Sequence, residues 1–166
     1  MLHGGRQRRV MAGMLGLAFL LTPALVRSQA PVRLNPKLER RYAQLQAQSL
    51  REHGHKLAET LAKLAALDYT FANTSYTNND FAAGRLHLAE ATTHADRACS
   101  LLHAEAITGK KSGIKNVEKI IQSISFGLHG LAESVDYRQQ TPVKAAVAHF
   151  TDLNYELLQW LFAPKS

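Results

Sequence analysis

IKNVEKIIQSISFGLHGLAESV, residues 114–135, decides the fold. Its apolar residues Ile114, Val117, Ile121, Ile124, Leu128, Leu131 and Val135 recur at alternating steps of three and four. At about 100° per residue they form one stripe of a helix, with Ile120 and Ala132 beside it. Lys115, Gln122, His129 and Glu133 fall on the opposite side. A helix with such a seam is stable only when the seam is covered by a neighbour.

The rest of the chain supplies neighbours. Val143, Ala146, Phe150, Leu153, Leu157 and Trp160 repeat the pattern, flanked by Val147 and Leu161. Leu88, Ala91, Ala95, Ala98, Cys99 and Leu102 make a slimmer stripe, which permits close approach. No stretch alternates apolar and polar residues with β-branched enrichment, so no strand is expected. Asn35-Pro36 and Thr141-Pro142 each read as a cap followed by proline in the first turn. The helices are expected at roughly 36–75, 79–108, 113–138 and 142–163, in one domain spanning 31–166. Short loops between amphipathic seams predict an all-α fold, an antiparallel up-down four-helix bundle.

The first helix is too long for that bundle. Continuous from Pro36 to Tyr76 it would measure roughly 60 Å, against roughly 33–45 Å for its partners. Either its N-terminal half projects, or it breaks at His53-Gly54-His55, where glycine costs about 1 kcal/mol of helix propensity. Further on, the order Phe71-Ala72, Tyr76, Asn79-Asp80-Phe81, Gly84, Leu88, Ala91 resembles one tetratricopeptide-type helical hairpin. The resemblance covers one repeat, and no second copy follows at the usual period of about 34 residues. What it implies here is a closely packed hairpin, not a repeat array.

Residues 1–30 concern address. Arg6, Arg8 and Arg9 precede an apolar run from Val10 to Val26, and small residues follow at Ser28 and Ala30. This is the order of a secretory signal, with cleavage expected after Ala30 or Ser28. The alternative is an uncleaved membrane anchor, but the run is interrupted by Pro23 and is shorter than the roughly 20 residues a spanning helix needs. The leader holds four of the chain's 20 basic residues and none of its 13 acidic ones, so it carries +4 of the net charge of +7. What remains is an ordinary surface, and nucleic acid is not an expected partner. All three methionines also lie in the leader, which removes methionine–haem and methionine–copper ligation from the exported part. Cys99 is the chain's one cysteine and reads as a small buried hydrophobe, the alternative being an intermolecular bridge or reactive thiol.

Histidine–carboxylate pairs at helical spacing recur as His55/Glu59, His87/Glu90 with His94, His129/Glu133 and His149/Asp152. Bundle metal sites use such pairs when they project inward. His129 and Glu133 face away from their seam, and His87 and His94 are two turns apart, about 10.5 Å, too far for one ion. No metal, haem or other cofactor is therefore expected. His53 falls on the apolar stripe between Leu45 and Leu57 and reads as a buried or ligand-facing group. Thr108-Gly109-Lys110-Lys111-Ser112-Gly113 fails as a phosphate loop because Glu105 stands where the first glycine belongs.

In an up-down bundle the start of the first helix, the second loop and the C-terminus share one pole. Arg33, Lys37, Arg40, Arg41, Lys110, Lys111, Lys115 and Lys165 would gather there and attract an anionic lipid surface or other anion. Nucleophilic catalysis finds no footing: there is no G-x-S-x-G elbow and no carboxylate pair on an apolar face. The expected function is thus non-enzymatic, a periplasmic or secreted bundle acting by self-association or by contact with an envelope or extracellular protein. Phe126, Tyr137, Phe162, Leu86 and Leu101, left off the seams, would supply the contact if they form one patch. A small-ligand or anion-binding bundle is the alternative.

Overall fold

The computed structural model describes residues 35–106 and 113–163, and every secondary-structure element within them is helical. Residues 1–30, where a secretory signal is expected, and Arg33, Lys110, Lys111 and Lys165 lie outside the described residues. The helices are α1 (Pro36–Ser49), α2 (Gly54–Thr77), α3 (Phe81–Ala106), α4 (Ile114–Ser134) and α5 (Gln140–Phe162). A 3₁₀ turn, Tyr137–Gln139, leads into α5. Among the described residues no helix is long and apolar enough to cross a membrane.

The over-long first helix is two helices. Asn35 caps α1, its side chain accepting a hydrogen bond from the Lys37 amide at 3.0 Å, with Pro36 in the first turn as the sequence predicts. The chain leaves helical geometry after Ser49, passes through an extended His53, and restarts at Gly54 with φ +57°. A positive φ is nearly free for glycine and strained for other residues, so the break falls at the one position that accommodates it. Glu52 braces the bend by accepting hydrogen bonds from Gln48 Nε2 at 2.8 Å and from Thr60 Oγ1 at 2.5 Å. α1 then doubles back along α2, and the rings of Tyr42 and Phe71 meet at 5.7 Å.

α2 and α3 form the close hairpin that the sequence predicts. Asn79 takes φ +60° in the turn, the Asp80 amide donates to the Ser75 carbonyl at 2.8 Å, and Asp80 Oδ1 accepts from the Ala83 amide. A Cβ at Gly84 would stand 2.7 Å from the ring of Tyr76, so only glycine allows this approach. Ala91, Ala95, Ala98, Cys99 and Leu102 of α3 are all buried. α4 buries Ile114, Val117, Ile121, Ile124, Leu128 and Leu131, the stripe read from its sequence. It stops four residues short of the expected 138 because Val135 is extended and Asp136 caps the 3₁₀ turn, accepting from the Arg138 amide.

Paired residues fix how the hairpins meet. Asn116 donates to Glu59 at 2.9 Å, and a Cβ at Gly127 would fall on the hydroxyl of Tyr69, so contacts ascend together along α2 and α4. Arg85 with Gln139 and His149 with Asp96 trace the same ascent along α3 and α5. The α2–α3 hairpin is thus stacked on the α4–α5 hairpin. Their shared core includes Leu61, Leu64, Leu102, Ile121, Leu128, Phe150 and Leu157, all essentially inaccessible to solvent. Each such side chain stabilises the fold by about 1.5–3 kcal/mol relative to exposure.

Candidate functional site

The stripe that α2 turns inward runs Leu57, Leu61, Leu64, Asp68, Phe71 and Ser75, and one of its members is an acid. Asp68 is 0% exposed. A carboxylate so placed loses its hydration and needs partners within the protein. Its Oδ2 accepts a hydrogen bond from His94 Nδ1 of α3 at 2.8 Å and the Tyr42 phenol of α1 donates towards the same carboxyl, while Oδ1, equally buried, has no close hydrogen-bond partner. Burial pushes the Asp68 carboxyl above its ordinary value, against the downward pull of His94.

Two further donors come from α3. His87 Nδ1 lies 3.2 Å from Glu90 Oε2, and the set is closed by Asp68: one donor atom from each of Asp68, His87 and Glu90 lies within 4.8 Å of the others. His87, Glu90 and His94 fall within about 60° of one another around α3, so three polar residues share one strip beside its apolar stripe. The ring of Phe71 walls the group, 5.5 Å from that of His87. α1 supplies the roof. Burial and the neighbouring Asp68 and Glu90 charges push the Tyr42 phenol upwards, so it stays a protonated donor. Tyr42, Gln46, Ala89, Glu90, Thr93 and His94 line an open cleft of about 350 Å³ that shares Glu90 and His94 with this group.

A second, smaller hollow of about 240 Å³ lies between α3 and α5, lined by residues that include Asp96, Cys99, His103, Glu156 and Trp160. The His103 and Trp160 rings stack at 5.0 Å, and His149 Nε2 meets Asp96 Oδ1 at 2.6 Å. Burial, reinforced by Glu156 and Asp96, pushes the Cys99 thiol up to about 12, so it is an inert hydrophobe at neutral pH.

The sites expected from sequence fare unevenly. His53 is exposed as the N-cap of α2, not buried: once the helix breaks, the stripe from Leu45 to Leu57 on which it would have sat no longer exists. The basic pole divides for the same reason. Lys37, Arg40, Arg41 and Lys115 are exposed, but the first three do not lie with the fourth. Tyr42, beside Arg41, packs on Phe71, whereas a Cβ at Gly113, two residues before Lys115, would lie 2.8 Å from His55. Those points are sixteen residues apart on α2, roughly 24 Å. Of the histidine pairs, His87/Glu90 forms, His129 and Glu133 face solvent, and His149 turns to Asp96 instead of the exposed Asp152. His87 and His94 need not share one ion, because Asp68 stands between them. Asp68 is the residue the sequence reading passed over; a carboxylate in register with leucines on an otherwise apolar stripe was its signal.

Comparison with known protein families, with curated proteins and with solved structures finds no match to this chain. Its function is therefore argued from the geometry of the Asp68 centre.

Proposed function

We propose that the protein is a non-enzymatic, exported helical bundle of up-down connectivity that binds a small cation at the Asp68 centre. One observation carries this: a completely buried carboxylate, one oxygen of which has no direct hydrogen-bond partner, offers a donor atom within 4.8 Å of donors from His87 and Glu90, and Glu90 lines an open cleft. His94 offsets the burial of this carboxyl only in part, so the group is held above its ordinary value, and a bound cation would stabilise its ionised form. Glu90 adds a second negative charge, while Tyr42 and Phe71 offer ring faces that attract cations. The one aliphatic hydroxyl lining the cleft, that of Thr93, already donates to the Ala89 carbonyl at 2.9 Å, which favours binding over nucleophilic chemistry. The basic, apolar, then small-residue order of residues 1–30 supports export.

Proton NMR of the purified protein titrated in turn with zinc chloride, calcium chloride and ethylammonium chloride tests the proposal. Saturable shifts of the Tyr42 and His94 ring signals with at least one of these cations are expected. Indifference to all three would remove it.

Self-association is a second reading, favoured by one feature of α5. Tyr155 and Phe162 are 65% and 80% exposed. They lie about 20° apart around the helix and about 10.5 Å apart along it, forming one aromatic strip for a second copy of the chain. Phe126 and Leu86 sit on the outer faces of other helices and do not extend that strip. Light scattering at rising concentration tests it, and a strict monomer ends it.

A further inference from the structure

We infer that the cation is a divalent transition-metal ion, held by Asp68, His87 and Glu90, with His94 orienting Asp68 from behind. This deepens the cation-binding proposal and rests on it. The donor set itself selects the class. Two carboxylates and one imidazole nitrogen suit zinc and its neighbours, whereas calcium and magnesium take oxygen ligands in larger number.

Charge and distance agree with that class. Glu90, and Asp68 once the incoming ion displaces its proton, together contribute two negative charges, which neutralise a divalent ion. In a tetrahedral site with bonds of about 2.0–2.1 Å, neighbouring donors stand about 3.3–3.4 Å apart. The His87–Glu90 separation of 3.2 Å already has that length, and the three donor atoms lie within 4.8 Å of one another. An ion between them would draw the set together, with Glu90 linking it to the cleft.

The supporting groups are those a metal centre requires. His87 and Glu90 stand three residues apart on one helix, which places both over the same point on the facing one. The bond from His94 Nδ1 holds Oδ2 of Asp68 and so fixes the plane of the carboxylate whose other oxygen has no close hydrogen-bond partner. Such outer contacts set the orientation of metal ligands, and losing one typically costs 10–100-fold in affinity. The His87 side chain retains 20% exposure and that of Glu90 42%, so an ion can enter without unfolding the hairpin.

Calorimetry of the full chain with zinc chloride, and absorption spectroscopy with cobalt chloride, test the inference. One zinc per chain is expected, with visible cobalt bands of a nitrogen–oxygen site. Asp68→Asn, His87→Gln and Glu90→Gln should each weaken zinc binding at least tenfold while the helical circular dichroism is retained. His129→Ala, on the outer face of α4, should leave it unchanged. Glu90 is partly exposed, so its variant keeps the test sound if a change at Asp68 impairs folding. Absence of saturable zinc uptake, or uptake indifferent to the Asp68, His87 and Glu90 changes, overturns the metal assignment. If zinc fails while ethylammonium still shifts Tyr42 and His94, the metal falls and the cation cleft stands; if neither acts, both fall.

Discussion

His94 Nδ1 lies 2.8 Å from Oδ2 of Asp68, tying α3 to the one carboxylate that, among the described residues, has no solvent exposure at all. The bond joins the two helices of the tightest hairpin, yet the group it holds is one the fold would be steadier without. Burial raises the Asp68 carboxyl, so the folded chain keeps a proton that the unfolded chain has released. Stability from this group is therefore full below the ordinary aspartate value and is lost as pH rises through the folded one.

Asp68→Asn keeps the shape and can still accept from His94, but removes that dependence. In metal-free buffer the variant should match or exceed the parent in urea midpoint at pH 7. Its advantage should shrink as pH falls towards 3.8, the ordinary aspartate value. A variant several degrees less stable at pH 7 would contradict the account of Asp68 as a costly group kept for binding.

Gly84 and Gly130 should respond oppositely to alanine. A methyl group at Gly84 meets the buried Tyr76 ring at 2.7 Å, so ring or helix must shift. A loss of about 1–3 kcal/mol is expected. Nothing lies within 4 Å of a Cβ at Gly130, so alanine there should add about 0.5–1 kcal/mol through helix propensity alone. Chemical denaturation of the two variants side by side would show the opposite signs.

Cys99 should be silent towards iodoacetamide in the native protein at pH 8. With its thiol pushed up to about 12, the thiolate fraction there is about one in ten thousand. Mass spectrometry should find full alkylation in denaturant and almost none without it. Rapid native labelling would mean that the α3–α5 contact opens.

Glu52 should govern the docking of α1. The Thr60 hydroxyl, then Gln48, hold its carboxyl below the ordinary glutamate value. A lowered value means a contribution present above the unfolded value and lost as pH falls through the folded one. The nuclear Overhauser contact between the Tyr42 and Phe71 rings should weaken in acid below about pH 4. In Glu52→Gln it should be weaker already at pH 7. A contact insensitive to both changes would show that apolar packing alone seats α1.

The helices with regular seams are legible in the sequence: the stripe of α3 is buried as read, and those of α4 and α5 are buried except at their last members, Val135 and Trp160, which are half-buried. Periodicity suffices there because nothing interrupts it. The first helix was less legible, since Gly54 permits a break without demanding one and the bracing bonds of Glu52 depend on tertiary proximity. The burial of His53 and the grouping of Lys37, Arg40 and Arg41 with Lys115 both presupposed a continuous helix and fell with it. The Asp68 centre was hidden for a different reason. Spacing within one helix pairs His87 with Glu90, but only the packing of α2 on α3 brings in the third donor.

The turn at Asn79 has a consequence for the order in which the chain assembles. It joins the two most intimately packed helices by three residues, so their contacts close small loops and cost little chain entropy. The α2–α3 hairpin can therefore form early, carrying Asp68, His87, Glu90 and His94 with it. The return of α5 to α3, through pairs such as Asp96 and His149 some fifty residues apart, must wait. The polar centre would then be assembled before the bundle that surrounds it is complete, at a stage when a cation in solution could act on folding itself.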